Sequence, residues 1–262
     1  MKVSVVTICY NAKTVIERTI QSVLNQTYSD IEYILIDGGS TDGTVEIIKQ
    51  YGHRISSWVS EPDHGIYDAM NKGVMRATGE WIHFLNAGDV YHDYDVLENF
   101  VPKISATTDI AYGDTLYVFS MTTKVRKALP LSKMDQLMPF GHPATLIRTS
   151  YHQQHLFDTS YRSSGDYKFF YDAYYRENAE FQYIPMIVAD YEADNGVSVT
   201  NPFLTIKEDA RLSGRDSSVK WKLWFYYFVC RYTLSQKVKS LLPQKIQAKL
   251  AKRDKFRFIE QL

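Results

Sequence analysis

The run "WIHFLNAGDVY" (81–91) ends a strand-like apolar stretch in Asn86, Ala87, Gly88 and Asp89. A buried run with an acid at its exit places a carboxylate at the mouth of a site; it is also the form of an ordinary strand-to-turn boundary. A second acid, Asp37, opens "IDGGSTDGT" (36–44), where Gly38, Gly39 and Gly43 permit a tight turn with positive φ. Ser40, Thr41 or Asp42 can cap the helix that follows. This is either a well-capped strand–turn–helix joint or a nucleotide loop in which Asp37 receives a donor from base or ribose. Its order does not fit G-x-G-x-x-G, so a dinucleotide fingerprint is not supported.

Three further stretches carry chemistry. "EPDHGIYDAMNKG" (61–73) gathers Glu61, Asp63, His64, Asp68, Asn71 and Lys72 at one helix start, more polar groups than a solvated helix requires. Asp68 and Asn71, three apart, share a helix face. "RSSGDYKFF" (162–170) sets Asp166 after a glycine turn, where an acid also simply suits a helix N-terminus. In "FGHPATLIR" (140–148), His142 sits between Gly141 and Pro143 ahead of a strand, and a lone histidine there is more often structural than functional.

Elements that would position these residues follow from periodicity. Strands are expected at 3–9, 31–37, 55–60 and 81–85. Helices are expected from Val15 to Leu24 (with Asn11 as N-cap), through "VEIIKQY", and over "GIYDAMNKGVMRATG", the last ended by Gly79. Strands alternating with helices imply βαβ units and a mostly parallel sheet, whose ligands bind outside the carboxyl ends of the strands. Asp37 and Asp89 both fall at such ends. Beyond about residue 100, "DIAYGDTLYVF" and "TTKVRKALP" read as short strands joined by turns in an antiparallel or mixed part, "GDYKFFYDAYYREN" as a helix and "FQYIPMIVADYEA" as a strand.

Bulk properties narrow the class. Hydrophobic residues at 45% supply a core, and 30 basic residues balance 30 acidic ones. The balance is uneven: from Arg211 onward 13 Lys or Arg face three acids, a net of +10, against −10 for the rest. Only Cys9 and Cys230 occur, which excludes a disulfide framework or cysteine zinc site and fits a reducing cytosol. "MKVSVVTICYN" reads as a first buried strand and not as a signal peptide, and no apolar run approaches the roughly 18 residues of a spanning helix. A cytoplasmic protein is expected.

The stretches "VSVVTICYNA" (3–12), "SVLNQTYSDIEYILIDGGSTDGT" (22–44), "EPDHGIYDAMNKGVMRATGEWIHFLNAGD" (61–89) and "SGDYKFF" (164–170), in that order, resemble the family 2 glycosyltransferases, most closely members that assemble bacterial surface polysaccharides. The resemblance covers residues 1–200. It implies a GT-A α/β fold, a Rossmann-like mixed sheet flanked by helices. It also implies inverting transfer of a sugar from a nucleotide diphosphate donor to a glycan or lipid-linked acceptor, assisted by Mg²⁺ or Mn²⁺. Carried over by position, Asp89 would bind the metal, Asp37 would contact the nucleotide and Asp166 would be the general base. Asp68, Asn71, Lys72 and Asn86 would line the donor pocket, with His142 near diphosphate or acceptor. "NGVS" (195–198) resembles a later Gly–Ser loop. The chain departs from the pattern at Gly38, where a second acid is common, and at Asn86 and Gly88, which replace acids of the metal motif.

The expected organisation is a transferase domain over 1–205, with a nucleotide-sugar half (1–100) and an acceptor half (101–205). A helical, aromatic and basic appendage follows over 206–262. The appendage either packs its aromatics on the domain or lies on an anionic membrane surface through 211–262, peripheral on the inner face. Rival readings are a catalytically inactive relative acting as a membrane-bound assembly partner, and a sugar-nucleotide pyrophosphorylase, whose Gly-rich basic loop "CYNAKTVIERT" does not provide. Nucleic-acid binding is not expected, because the basic residues lie apart from the nucleotide-type motifs.

Overall fold

The computed structural model describes residues 1–120, 122–194, 196, 200–241 and 243. Its first unit, Met1–Thr200, begins with β1 (Val3–Cys9), a β-branched run buried at every position. It continues through α1 (Ile16–Leu24), β2 (Ile31–Asp37), α2 (Thr44–Tyr51), β3 (Ser57–Ser60), α3 (Ile66–Arg76) and β4 (Trp81–Phe84). β1 pairs in parallel with β2 and β4, and β2 with β3, as the alternation required. Continuous burial of β1 and β4 is what a parallel sheet covered on both faces produces. Ile16, Thr19, Ile20 and Val23 are the buried stripe of α1. Truncating Ile20, fully buried, would cost about 2–5 kcal/mol.

The second stretch of this unit is mixed. β5 (Val90–Tyr91) and α4 (Val96–Phe100) lead to the hairpin of β6 (Ile110–Phe119) and β7 (Thr122–Arg126). Then come β8 (Thr145–Arg148), α5 (Thr149–Gln154), α6 (Gly165–Tyr175) and β9 (Phe181–Glu192). β8 joins the two halves, antiparallel to both β4 and β6, giving the order β3-β2-β1-β4-β8-β6-β9-β5 with β7 beside β6.

Three local expectations change. Asn11 does not cap α1: it adopts φ 47°, its amide donates to Ser40 Oγ (2.7 Å), and its Oδ1 accepts from the Thr41 amide (3.0 Å). It pins the glycine loop instead. α3 stops at Ala77 before Gly79, and a Cβ at Gly79 would fall 2.7 Å from the Ser4 amide nitrogen, so that glycine serves close packing. The third strand starts at Ser57, two residues late.

The second unit starts at Asn201. It contains α7 (Pro202–Leu212) and the 22-residue α8 (Val219–Ser240). Phe203 packs edge-on against Phe228 and Tyr232, and Trp224 stacks on Phe228. Among the described residues no helix is long and apolar enough to cross a membrane.

Candidate functional site

Because β1, β2 and β4 are parallel, Cys9, Asp37 and the residues after Phe84 leave the sheet along one edge. Strand order reverses between β1 and β4, the crevice in which open α/β sheets bind ligands. The Leu85 and Ala87 amides donate to the Val6 and Ile8 carbonyls (3.0 and 3.1 Å), which fixes the Asn86–Asp89 turn beside the end of β1.

Asp37 is fully buried at this edge. Its oxygens accept from the hydroxyls of Ser40 and Ser60, the amides of Gly39 (3.1 Å) and Ser40 (2.9 Å), and the Cys9 thiol (3.3 Å). Burial alone would push its carboxyl up; the hydrogen bonds outweigh it and hold the group below its ordinary range. Burial and the neighbouring Asp37 push the Cys9 thiol up, so it is a protonated donor. Asp37 therefore shapes the glycine loop and ties β3 to β2, with its oxygens engaged by protein. Gly39 and Gly43 need their left-handed φ of 84° and 102°. Asp42 receives the Thr44 amide (3.0 Å) at the start of α2.

The Asn86–Asp89 turn is braced from below. Gly88 takes φ 107°, its amide donates to Thr19 Oγ1 (3.0 Å), and its carbonyl accepts from Arg18, which also pairs with Glu192. Asp89 is only 5% exposed. Its Oδ1 accepts from the Glu192 amide (3.1 Å). Burial pushes its carboxyl up to about 7, aided by the charge of Glu192 and opposed by that amide and Arg18. Asn86 Oδ1 is buried with no hydrogen-bond partner among the described residues.

The polar residues of 61–73 mostly bind their own segment. Lys72 pairs with Glu61 (3.0 Å) and Asp68 (3.6 Å) and donates to the Pro62 carbonyl (3.1 Å). Asp68 accepts from the His64 amide (3.0 Å). Asn71 clamps Phe157 by both backbone groups, each at 2.9 Å. These three stiffen the loop and its junction with the second stretch. Asp63 differs: its Oδ1 accepts from the Gly65 amide (2.8 Å), while its Oδ2 faces Gly38 beside the ring of Tyr10. Asp63 belongs to the polar cluster of 61–73, whereas Tyr10 does not stand out in sequence; both follow strands of the parallel half.

Asp166, at the first turn of α6, is brought to the end of β4 by neighbours from other elements. Tyr67 Oη of α3 lies 3.0 Å from Asp166 Oδ1, and His142 Nδ1 lies 3.6 Å from Oδ2. The His142 ring is buried against Phe84 and Phe170, and burial lowers it to about 4, so it is neutral at physiological pH. Sequence reasoning missed Tyr67 because it reads as one more apolar position of α3. "NGVS" (195–198) lies outside the described residues, apart from Gly196.

A mixed sheet whose first half is parallel with reversed strand order, flanked by helices, has the architecture of the GT-A type. The family model "Glycosyl transferase family 2" matches residues 4–176, and the chain belongs to that family. It is a glycosyltransferase. Over 201 residues it is 30% identical to the "PGL/p-HBAD biosynthesis glycosyltransferase" of Mycobacterium bovis, covering 72% of this chain and 76% of that one. Among solved structures, S. aureus TarS 1-349 in complex with UDP aligns with TM-score 0.64 at 19% identity, over 82% of this chain and 65% of that fragment. The mannosyltransferase PcManGT of Pyrobaculum calidifontis, in complex with GDP-Man and Mn²⁺, aligns with TM-score 0.58 at 14% identity, over 98% and 80% of the two chains. At such identities these structures speak to the fold.

Among the described residues no three His, Cys, Asp or Glu side chains cluster as a ready metal cage. The turn offers two oxygen-bearing side chains, Asn86 with its orphaned buried Oδ1 and Asp89. That donor set is hard and fits Mg²⁺ or Mn²⁺ bound mainly through a substrate's phosphates.

Proposed function

We propose that the chain moves a sugar, with inversion, from a nucleoside diphosphate donor to a hydroxyl of a glycan or lipid-linked acceptor in surface glycoconjugate synthesis. The observation that carries this reading is the Asp166 carboxylate on the first turn of α6, 3.0 Å from Tyr67 Oη and 3.6 Å from His142 Nδ1, whose ring packs against Phe84 at the end of β4. In the step, the acceptor oxygen bonds to the sugar's anomeric carbon as the bond to the diphosphate oxygen breaks. The acceptor's proton passes to the Asp166 carboxylate, and the nucleoside diphosphate leaves. A positioned base supplies roughly 10²–10⁴-fold.

Asp37 holds the nucleotide-side loop, and Asp68, Asn71 and Lys72 hold the segment facing it, so they act on donor binding through loop shape. His142 packs beside the base, on the acceptor side. A Mg²⁺ or Mn²⁺ ion, held by Asn86 and Asp89, would neutralise the leaving diphosphate. Calorimetry with UDP, GDP, dTDP and CMP, each with Mn²⁺ and with EDTA, tests the donor side. Metal-dependent binding of one diphosphate is expected. Binding of none would remove the reading in favour of an inactive relative, the alternative that a turn with one buried carboxylate supports.

The location proposed is cytoplasmic, peripheral on the inner membrane face. It is supported by the net charge of +10 from Arg211 onward and by α8, where Leu223, Trp224, Tyr226 and Tyr227 are exposed among Lys220, Lys222 and Arg231. Attraction of that charge to anionic headgroups, with exposed aromatics alongside, is the physical support for this location.

A further inference from the structure

Tyr67 belongs to the helix that follows the 61–65 loop, yet its hydroxyl ends at the start of α6. The phenol is buried, and its oxygen lies 2.8 Å from the Ser163 carbonyl as well as 3.0 Å from Asp166 Oδ1. One O–H thus serves two acceptors across two elements 99 residues apart in sequence. The ring is held in place: it tilts against Phe157 at 5.6 Å. A Cβ at Gly165 would fall 2.7 Å from its Cδ2 and Cε2, so only glycine lets the ring lie across the α6 terminus. The same junction is laced by Arg162, which donates to the His64 carbonyl (3.2 Å), and by the Asn71 clamp on Phe157. The Asp166 amide-side partner, Tyr167 N, reaches the same Oδ1 at 2.9 Å.

From this geometry we infer that Tyr67 is a positioning residue for the Asp166 carboxylate: its hydroxyl fixes the rotamer and favours the ionised form that accepts a proton. The inference rests on the reading of Asp166 as base. Burial and the adjacent Asp166 charge push the phenol well above its ordinary range, so Tyr67 remains a donor at every pH at which the protein works. Lys72, Asp68 and Glu61 pair among themselves on the same segment, and the buried, neutral His142 lies 3.6 Å from the other Asp166 oxygen. A hydrogen bond to a carboxylate stabilises its charged form, so removing the donor raises the carboxylate's pKa.

The deciding experiment follows the Asp166 carboxyl carbon by ¹³C NMR in the ligand-free, full-length protein, assigned with Asp166→Asn, in wild type and Tyr67→Phe. Phenylalanine keeps the ring packing against Phe157 and Gly165 and deletes only the hydroxyl. The expected result is an upward shift of the Asp166 titration midpoint by half a pH unit or more, with circular dichroism unchanged. An unchanged midpoint overturns the inference, because a purely structural Tyr67 would alter melting and leave the carboxylate's titration alone. If Tyr67→Phe fails to fold, the same titration in Gly165→Ala, which displaces the ring, decides the question on the same criterion. The base reading fails separately, on retained turnover by Asp166→Asn, and the positioning role falls with it even where the midpoint moves.

Discussion

The carboxylate of Asp63 occupies the space that a side chain at Gly38 would need: a Cβ built on Gly38 falls 2.3 Å from Asp63 Oδ2 and 3.5 Å from the Tyr10 ring. Gly38 is thus required for room and not for an unusual φ, unlike Gly39 and Gly43. An acid from the 61–65 loop stands where the resemblance would have put one on the glycine loop itself.

Two variants test this exchange. Gly38→Ala should push Asp63 aside, lowering several-fold the calorimetric affinity for the diphosphate that binds, while changing stability by under about 1.5 kcal/mol, since the obstructing group is the end of a flexible side chain. Asp63→Ala should lose a similar factor in affinity without the steric cause. Unaltered nucleotide binding in both would show that neither position faces the nucleotide.

Much of this was legible in sequence. β1, β2, β4 and the helices between them announce themselves by burial period, and the motif acids fall at strand ends as expected. Side-chain destination was not legible. Asp37 and Asn71 look like ligand-binding residues, yet each points at backbone amides or hydroxyls, because a buried polar group must find a partner and the chain supplies it. Tyr67 went unseen for the converse reason: its ring obeys the apolar pattern of α3, and only its hydroxyl does the positioning. The readable trace of it is Gly165, whose missing side chain makes room for that ring.

That trace is itself testable. Gly165→Ala should destabilise the fold by about 1–3 kcal/mol, the range for overpacking a filled site, measured by urea unfolding. Its partner for comparison is Gly214→Ala in the second unit, where nothing lies within 4 Å of a Cβ but φ is +69°, so strain and not collision sets the cost. A Gly165→Ala protein as stable as wild type would mean that the Tyr67 ring is not packed against α6.

Asp89 gives a pH prediction with a definite sign. Its carboxyl is raised from 3.8 to about 7, so the folded chain binds this proton more tightly than the unfolded one. Its contribution to stability is therefore greatest at low pH and is lost as pH rises from 3.8 to about 7. Asp89→Asn, which cannot ionise, should remove that slope, at most about 1.4 kcal/mol per pH unit. Stability of wild type minus variant, measured by urea unfolding in EDTA, should fall across this range; a flat difference would place the ionised group in a better-solvated setting. Mn²⁺-dependent nucleotide binding should weaken below about pH 7 in wild type for the same reason.

Asp166→Asn should abolish sugar transfer, by roughly 10²–10⁴-fold, while leaving nucleotide affinity within about twofold, since the base acts on the acceptor's proton and not on the nucleotide. Asp89→Ala should show the opposite pattern, losing Mn²⁺-dependent nucleotide binding. Transfer by Asp166→Asn at the wild-type rate would refute the base assignment outright, whereas loss of nucleotide binding alone would indicate that α6 also shapes the donor pocket.

The basic tail makes the last prediction, and salt is its lever. Each well-placed Lys or Arg near an anionic surface contributes about 1 kcal/mol, so Lys220, Lys222 and Arg231 together would contribute about 3. The full-length protein should co-sediment with vesicles rich in phosphatidylglycerol at low salt, bind phosphatidylcholine vesicles far less, and lose the difference as salt rises. Replacing the three basic residues by Gln should cut binding on the order of 100-fold, whereas Trp224→Ala should weaken it on both vesicle types alike. Equal binding to neutral and anionic vesicles, or none to either, would assign the exposed aromatics of α8 to a protein surface instead.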